Sequence, residues 1–588
     1  MSHRTREPLR PVRAPLPRLG TALLLVATVA ALPALGCDGA PAPTTDSTPD
    51  LGAPPSRLGP DEIPLKVTQR CPGDPKCPDQ GDSVLYVGFA KRDITPPVEP
   101  FEDTNKNGRW DEGEPFTDLN GNKKFDAFWV AGYSIGRQAV GVHDPLWARA
   151  IALRQNETTV VLVASDVVGL FREETHEVQK ILDQAWGPKL GVDLLLLHAT
   201  HNHEAADTTG GWGPDIVTWG IDAEYQKRWR RLMAEAVAEA VQAIKPARVT
   251  IGSIRVEDPP DGDMSQYVAD SRQPTVIDNT LHAFLFVDPT NTPPVPIATL
   301  VNWANHPEAL GGSNQFLTSD FPGYLRDALE KQGTGPVVYV SGPLGGLLGP
   351  GRAAPIDPDT GKAVKDGSFR KAQLIGEKVA AFVLNALGDK EASVVEGKKA
   401  RLAFRTAEFS AHIENTKYHL ASMLGLFRRE FCCYDMTRPV GIDNPPQVQT
   451  AVTYLTLGPA AIITNPGELT SELFLGGYDG SRRGTYDLLN PAEPNGPDLT
   501  QAPKPPYLID LMDGERRHRM TFGLTGDFLG YILPRYNFVL DENAPYLREA
   551  KGDHYEETNS ISPRAEAEIV GTMRQLILDG RELPAGKP

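Results

Sequence analysis

Three histidines lie close together in the stretch DLLLLHATHNHEAAD, which runs from Asp193 to Asp207. The four leucines bounded by polar residues predict a buried strand, and His198, His201 and His203 follow at its end. Side chains of an extended chain alternate between two faces, so His201 and His203 are predicted to point one way and His198 the other. Two imidazoles on one face are typical of half of a metal site, and the remaining ligands must come from elsewhere. For any single histidine, the alternative is an ordinary packing or loop residue.

A second set of metal-binding residue types lies in DTNKNGRWDEGEPFTDLNGNKKFD, at positions 103 to 126. Oxygen-bearing side chains alternate along its first part, and Gly108 takes the sixth position, where an EF-hand loop needs a sharp turn. A shorter second copy follows. The spacing predicts structural calcium, and the predicted ligands are Asp103, Asn105, Asn107, Asp111, Glu114, Asp118, Asn120, Asn122 and Asp126. The alternative is an acidic, solvated loop.

Further polar residues with metal-binding or hydroxyl groups follow apolar runs later in the chain. NWANHPEAL places His306 after the run 297–303, and TNPGELT places Glu468 after PAAII at 459–463. Near the C-terminus, GDFLGYILPRY and KGDHYEETNS carry Tyr531 and Tyr555. The histidine cluster therefore has distant partners of suitable chemistry.

Eight stretches, in one order along the chain, resemble motifs of the neutral/alkaline (non-lysosomal) ceramidases, which are zinc amidases. They are GFAKRDIT, GVHDPLWARA, SDVVGL, THNHEAAD, NWANHP, NPGELT, GDFLGYI and HYEETNS. The resemblance covers that family's N-terminal catalytic domain. Because the motifs occur in register, they indicate the family more strongly than any one of them does alone.

The resemblance implies roles for six residues: zinc bound by His201, His306, Glu468 and Tyr531, with His203 and Tyr555 beside the metal as catalytic residues that stabilise the oxyanion. Imidazole and oxygen ligands suit zinc and leave room for a water. The implied reaction is attack of zinc-bound water on the amide bond of an N-acyl lipid such as ceramide, giving a fatty acid and a sphingoid amine. Two alternatives stay open: a zinc hydrolase of another ester or amide, and a non-catalytic, calcium-dependent surface binding protein.

The chain departs from the family pattern in two places. The family has a serine in the turn after the strand matching 336–340, whereas this chain reads GPLGGLLGPG, with Leu348 or Gly349 at that position. Only a short segment follows Tyr531, so the family's C-terminal immunoglobulin-like domain is expected to be absent. Both departures leave the true substrate open, and the general base is unassigned among Asp166, Asp320 and His198.

The elements that must position these residues alternate between strands and helices from residue 83 onward. This alternation predicts an α/β fold, a single large catalytic domain over 83–588 with mixed, largely buried sheets, surrounding helices and a calcium-binding insert at 101–128. Ordinary globular composition agrees with it. A net charge of -17 argues against nucleic acid as a partner. The expected partner is a small-molecule or lipid substrate, and the sequence does not predict an oligomeric state.

The N-terminus predicts export across the bacterial inner membrane. Residues 1–36 combine a basic segment with a short apolar run, as in a lipoprotein signal peptide, and Cys37 is the predicted lipidation site. Residues 37–82 are predicted to be a flexible linker, in which Cys71 and Cys77 are able to pair. The protein is therefore expected to be lipid-anchored to the cell envelope or secreted.

Adjacent cysteines rarely bond each other. Cys432 and Cys433 are therefore expected to be packing residues.

Overall fold

A computed structural model describes residues 66–70, 83–256, 264–346, 348–512 and 516–581. The predicted signal peptide, Cys37, and the pair Cys71 and Cys77 lie outside these residues, as does most of the predicted linker. Within the described ranges, no helix is both long enough and apolar enough to cross a membrane.

The strands, in chain order, are β1 Lys66–Arg70, β2 Leu85–Asp93, β3 Gly141–Val142, β4 Trp147–Gln155, β5 Thr158–Ser165, β6 Leu194–Ala199, β7 Lys245–Pro246, β8 Arg248–Arg255, β9 Thr280–Asp288, β10 Val295–Trp303, β11 Phe316–Leu317, β12 Val337–Ser341, β13 Ile356–Asp357, β14 Lys362–Ala363, β15 Ser393–Val395, β16 Leu402–His412, β17 Phe431–Cys432, β18 Gln447–Leu457, β19 Ala460–Thr464, β20 Glu468–Leu469, β21 His518–Phe522 and β22 Tyr531–Ile532. The helices are α1 Arg172–Ala185, α2 Ala223–Gln242, α3 Asp320–Lys331, α4 Phe369–Gly388, α5 Thr416–Met423, α6 Ser471–Leu475, α7 Leu508–Leu511, α8 Tyr555–Thr558 and α9 Gly571–Arg581.

Most of these strands belong to three large mixed sheets. The N-terminal sheet has the order β6-β5-β4-β2-β7, and the middle sheet has the order β12-β10-β9-β8-β15. The C-terminal sheet has the order β1-β16-β18-β19-β21, with β17 beside β18. Each sheet contains a parallel pair, β5 with β6, β10 with β12, and β19 with β21. The chain leaves both strands of each such pair at the same edge of its sheet, which brings the connections that follow them together.

The inner faces of the three sheets pack into a shared apolar core that includes Leu85, Phe284, Leu402 and Phe522. Helix α2 packs on β2 and β4, α4 on β8 and β9, and α9 on β16 and β18. Strand β5, TTVVLVAS, is buried along its whole length, because its sheet is covered on both faces. The predicted fold class, α/β with mixed and largely buried sheets, is confirmed.

The expectation for the adjacent cysteines was wrong. Cys432 and Cys433 form a disulfide, and Cys433 adopts a φ of 66° in the turn that follows β17. This left-handed conformation changes the direction of the chain between the two residues. Cys433 lines a cavity of about 770 Å³ together with Tyr434 and Met436.

Candidate metal centre

His201 lies just beyond the end of β6, where the chain does not stay extended. Its φ is 65°, a left-handed conformation that costs energy in a residue with a side chain. The imidazole is almost fully buried, and its Nδ1 donates a hydrogen bond to the carbonyl oxygen of Val168, 2.6 Å away. Val168 follows β5, the parallel neighbour of β6. Both connections after this strand pair therefore help to fix the His201 ring.

His306 repeats this arrangement after β10. Its Nδ1 donates to the carbonyl oxygen of Leu348, 2.8 Å away, in the turn after the parallel neighbour β12. The His306 Nε2 atom lies 3.3 Å from Oε2 of Glu468, and the His201 Nε2 atom lies 3.5 Å from the same oxygen. Two imidazoles from different sheets thus converge on one carboxylate.

Glu468 and Tyr531 lie on the connections that follow β19 and β21, the parallel strands of the third sheet. They are paired residues of β20 and β22, and both are buried. Burial alone would raise the pKa of Glu468, but the imidazoles of His201 and His306 outweigh it and lower the pKa to about 2. Burial and the Glu468 carboxylate raise the pKa of the Tyr531 hydroxyl well above its usual value.

His203 completes a group of three imidazoles. Its ring centroid lies 4.8 Å from that of His201 and 5.4 Å from that of His306. One nitrogen from each ring lies within 4.8 Å of one from each of the others. Although His203 is only 8% exposed, neither of its ring nitrogens has a hydrogen-bond partner among the described residues. Burial and the two neighbouring imidazoles lower the pKa of His203 well below its usual value, which favours the neutral ring.

The donor set fits a cation. The Nδ1 atoms of His201 and His306 donate to carbonyl oxygens, which only accept, so each ring in its neutral form would present an Nε2 lone pair to Glu468. Lone pairs that face a carboxylate repel it unless a proton or a cation lies between them. Imidazole nitrogens with a carboxylate and a phenol oxygen are ligands that suit zinc. The carbonyl contacts at Nδ1 are those that commonly orient metal-binding histidines.

Comparisons with known proteins agree with this geometry. Residues 117–406 match the family described as neutral/alkaline non-lysosomal ceramidase, N-terminal. This segment contains His201, His203 and His306. This segment belongs to the neutral/alkaline ceramidase family. The family predicted from the motifs is thereby confirmed.

One curated relative and two solved structures are also similar to this chain. Neutral ceramidase B of Dictyostelium discoideum is 23% identical over 260 residues, 41% of this chain and 34% of that protein. The match thus spans about a third of that relative's length. The crystal structure of neutral ceramidase from Pseudomonas aeruginosa superposes with a TM-score of 0.58 at 15% identity, covering 86% of this chain and 76% of that one. A ceramidase complexed with C2 gives 0.57 at 14% identity, with the same coverage. At these identities, the solved structures show the shared fold.

The remaining predicted site residues differ in how deeply they are buried. Tyr555 begins α8, is 43% exposed, and has its ring centroid 6.2 Å from that of Tyr531. Burial of the hydroxyl and the nearby Glu468 carboxylate raise the pKa of Tyr555, which keeps this hydroxyl protonated at neutral pH. His198 lies inside β6, where Nδ1 contacts the carbonyl oxygen of Gly523 at 2.8 Å and Nε2 accepts from the Ser341 amide at 3.2 Å. His198 is therefore a packing residue with both nitrogens satisfied.

The carboxylates considered as a general base are already engaged. Asp166 accepts two hydrogen bonds of 2.8 Å from Arg326. Asp320 accepts from the backbone amides of Ala309 and Phe321, and burial raises its pKa to about 7. These contacts give both residues structural roles.

Glu308 is a site residue that sequence reasoning missed. It lies two positions after His306, and its Oε2 atom is 3.5 Å from Nδ1 of His203. The Tyr133 hydroxyl contacts the same oxygen at 3.1 Å. The available signal was the motif NWANHPEAL itself, in which a carboxylate follows the histidine at short range.

The predicted calcium loops fold as two similar units. In the first loop, Asp103 accepts from the Gly108 amide at 2.8 Å. Glu114 closes the loop, since Oε1 accepts from the Thr104 amide at 2.8 Å and Oε2 from the Asp111 amide at 3.0 Å. Glu114 therefore joins the start and the end of the predicted loop.

The second loop has the same hydrogen bonds but takes its glutamate from upstream. Asp118 accepts from the Lys123 amide at 2.8 Å, as the first aspartate does in the first loop. Glu99 accepts from the amides of Leu119 and Asp126, both at 2.9 Å, at the positions that correspond to those bonded in the first loop. The copy is truncated in sequence, and Glu99 restores the missing side chain in space.

Proposed function

We propose that this chain is a zinc-dependent hydrolase of amide bonds, cleaving an N-acyl lipid such as ceramide to a fatty acid and a sphingoid amine. The observation that supports it is the convergence of His201, His306, Glu468 and Tyr531, which follow parallel strands of three sheets, in a chain whose residues 117–406 match the ceramidase family. These four residues are the proposed zinc ligands. Zinc held there would act as a Lewis acid on the amide carbonyl and activate a water at neutral pH.

The chain's own residues orient the reacting groups. The carbonyl oxygens of Val168 and Leu348 hold the two imidazoles in one tautomer, so the Nε2 atoms stay directed at the site. Glu468 supplies the negative charge that balances a dication. Burial of the whole group excludes bulk water, which strengthens its electrostatic interactions.

Tyr555 is the proposed donor to the oxyanion of the tetrahedral intermediate. Its hydroxyl is protonated at neutral pH, and its partial exposure allows substrate to reach it. A preorganised donor of this kind contributes about 3 kcal/mol to transition-state stabilisation. His203, whose ring lies beside those of His201 and His306, is the second proposed donor.

Turnover with and without a zinc chelator, at fixed calcium, tests the proposal. We expect hydrolysis of N-acyl sphingoid lipids that is lost on chelation and restored by zinc. A protein that binds no zinc, or that keeps full activity without it, would overturn the proposal. A panel of N-acyl lipids, simple esters and non-lipid amides separates ceramide-like substrates from others. No turnover on the whole panel, with calcium-dependent surface binding, would favour the non-catalytic alternative.

Structural calcium is proposed at the loops closed by Glu114 and Glu99. The repeated hydrogen-bond pattern supports equal roles for the two loops, and hard oxygen ligands suit calcium. We expect these ions to stabilise the insert rather than to take part in the reaction.

Export and lipid anchoring at Cys37 are proposed from the N-terminal sequence alone. The protein would then be held at the cell envelope, close to membrane lipids. Metabolic labelling with a fatty acid, compared between the natural chain and Cys37→Ala, tests the anchor. Equal labelling of the two chains would exclude lipidation at this residue.

A further inference from the structure

A cavity lies between the first predicted calcium loop and the segments around Trp129 and Gln138. Its volume is about 310 Å³, at the lower end of the range of about 300 to 1,000 Å³ that is typical of small-ligand sites. One wall comes from the calcium loop, and the other includes Trp129 and Gln138, which pair across an isolated β-bridge. None of the lining residues belongs to the proposed metal centre.

The two walls are joined by one side chain, that of Gln315. Its Nε2 atom donates to the carbonyl oxygen of Gly108 at 2.6 Å and to that of Gln138 at 2.9 Å. Gly108 has a φ of 80°, and a Cβ atom added to it would lie 3.0 Å from Oε1 of Gln315. Glycine therefore suits both the left-handed turn and the close approach of the amide. The relative position of the two walls is thus set by the fold.

Aromatic rings line both walls of the cavity. In the calcium loop, Trp110 stacks on Phe125 with the centroids 4.8 Å apart, and its Nε1 atom donates to the Glu114 carbonyl oxygen at 2.9 Å. These contacts fix the indole before a ligand binds. On the other wall, Trp129 is half-buried. An aromatic face is negative, so it attracts the partly positive C–H hydrogens on the face of a sugar ring.

The Gln138 side chain is the feature that points to a polar ligand. It is only 2% exposed, and its Nε2 atom has no hydrogen-bond partner among the described residues. Burial of an unpaired polar atom is costly, so such atoms in native proteins are typical of sites that a further molecule completes. A hydroxyl group both donates and accepts, so it pairs with either end of an amide. An acyl chain would leave this amide unpaired.

The charged lining residues favour a neutral ligand. Arg109 and Asp111 form an ion pair, with Nε and Oδ1 3.5 Å apart. The other oxygen of Asp111 accepts from the side-chain amides of Asn105 and Asn107, at 2.7 and 2.5 Å. Asp111 is therefore part of the calcium loop as well as of the cavity. Calcium bound in this loop would hold one wall of the cavity in place.

We propose that this cavity binds a neutral sugar, with Gln138 hydrogen-bonded to its hydroxyl groups and Trp110 and Trp129 packed on its ring. The cavity is a binding site separate from the metal centre. The inference rests on the proposed calcium loops only in that calcium would hold one wall.

Calorimetric titration of the full chain, in calcium, with the methyl glycosides of glucose, galactose, mannose and N-acetylglucosamine tests the inference. We expect saturable binding of at least one of them with a Kd of about 1 mM or tighter. Trp129→Ala should weaken that binding by about 10-fold, whereas Trp129→Phe keeps a flat ring and should lose less. Binding of none of the four by the folded, calcium-loaded chain would overturn the inference.

Gln138→Met separates a binding role from a structural one. Methionine has a similar length but no amide, so glycoside binding should fall by about 10-fold. The unfolding temperature should stay the same or rise, because an unpaired polar group has left the interior. Gln226→Met, at another buried glutamine with an unpartnered amide atom, is the matched control and should bind the glycoside normally. Normal binding in Gln138→Met would contradict the role of Gln138.

Removal of calcium distinguishes this inference from the calcium proposal. Chelation should weaken glycoside binding reversibly, and Glu114→Gln should weaken it in the presence of calcium. Unchanged glycoside binding in chelator, by a chain that calcium stabilises against thermal unfolding, would contradict the role of the ion in the cavity. A chain that calcium does not stabilise would instead overturn the proposed calcium loops.

Discussion

Glu468 and Tyr531 are directly opposite residues of two short parallel strands, β20 and β22. Residues in register on neighbouring strands project to the same face, so the carboxylate and the phenol reach the imidazoles together. The backbone amide of Glu468 donates to the Gly530 carbonyl oxygen at 2.9 Å, which ties the two connections to each other. One ladder therefore sets the positions of both proposed oxygen ligands.

Removal of each proposed oxygen ligand is expected to weaken zinc binding, and the effect should be larger for Glu468 than for Tyr531. Glu468→Gln removes the negative charge and should lower zinc affinity by more than about 100-fold, whereas Tyr531→Phe should lower it by about 10-fold. Chelator competition on the metal-free proteins measures both. Tyr339→Phe, a buried tyrosine that donates to the Trp303 carbonyl oxygen, serves as the control and should bind zinc normally. Equal affinities in all three variants would contradict the assignment.

Substitutions of His201 and His198 are expected to affect different properties, zinc binding and stability respectively. His201→Ala removes a proposed ligand, so zinc binding and turnover should be lost while the fold persists. His198→Gln disturbs two buried hydrogen bonds, so it should cost about 1–3 kcal/mol of unfolding free energy and leave zinc bound. Zinc content and denaturant unfolding are measured side by side. A zinc-free His198→Gln protein would argue against the packing role of His198.

Tyr555→Phe is expected to affect the rate rather than the metal. Loss of one oxyanion donor should lower kcat by about 100- to 1000-fold with zinc content unchanged. Steady-state kinetics and metal analysis on the same preparation provide the test. Tyr418→Phe, whose hydroxyl donates to the Asn559 carbonyl oxygen, is a nearby control and should keep its kcat within a few fold. Equal rates in the two variants would exclude the proposed role of Tyr555.

Calcium should raise the unfolding free energy through both loops. At a calcium concentration a hundredfold above Kd, one site adds about 2.7 kcal/mol, so each of Glu114→Gln and Glu99→Gln should lose about that amount. Thermal unfolding in calcium and in chelator measures the difference. Glu112→Gln, an exposed residue of the first loop, is the control and should respond to calcium as the natural chain does. A full calcium response in Glu99→Gln would show that the second loop is not completed by Glu99.

His282 should make the fold sensitive to acid. Burial, with His518 nearby, lowers its pKa from 6.5 to about 3, and its Nδ1 lies 2.6 Å from the Ser253 hydroxyl. The unfolded state therefore binds the proton more readily, and stability is lost as pH falls below 6.5 toward 3. Between pH 7 and pH 5 the loss from this group is about 2 kcal/mol. Denaturant unfolding at the two pH values measures this loss. In His282→Asn the unfolding free energy should fall by about 2 kcal/mol less between pH 7 and pH 5 than in the natural chain. An equal fall in the two proteins would exclude His282 as the cause.

The sequence predicted which side chains lie close together wherever a proposed ligand follows a recognisable strand. The leucine run before His198 forms β6, and the apolar runs before His306 and Glu468 form β10 and β19. The alternation argument placed His201 and His203 together, although the chain turns at His201 with a φ of 65°. The convergence therefore depends on the left-handed turn and on parallel strand pairing, neither of which is visible in periodicity.

Contacts that depend on the folded backbone, and not on the interval between residues in the sequence, were not predictable. The Glu308 carboxylate fits beside Gly349, 41 positions later, because that residue lacks a side chain. Glu99 completes the second loop from outside the predicted calcium motif. The disulfide between Cys432 and Cys433 accompanies a left-handed backbone conformation at Cys433, which the sequence did not predict. For Glu308 and Glu99 the relevant distances are set by tertiary packing, which a single sequence does not reveal.

The three parallel strand pairs have a consequence for how the chain matures. Each pair belongs to a different sheet, and the proposed ligands lie on connections that leave all three. No single sheet carries the whole ligand set, so a partly folded chain has no site of high affinity. A metal held there would cross-link the three sheets without any covalent bond. Uptake of the ion would then be the last step of folding. Chains with one misplaced sheet would remain metal-free.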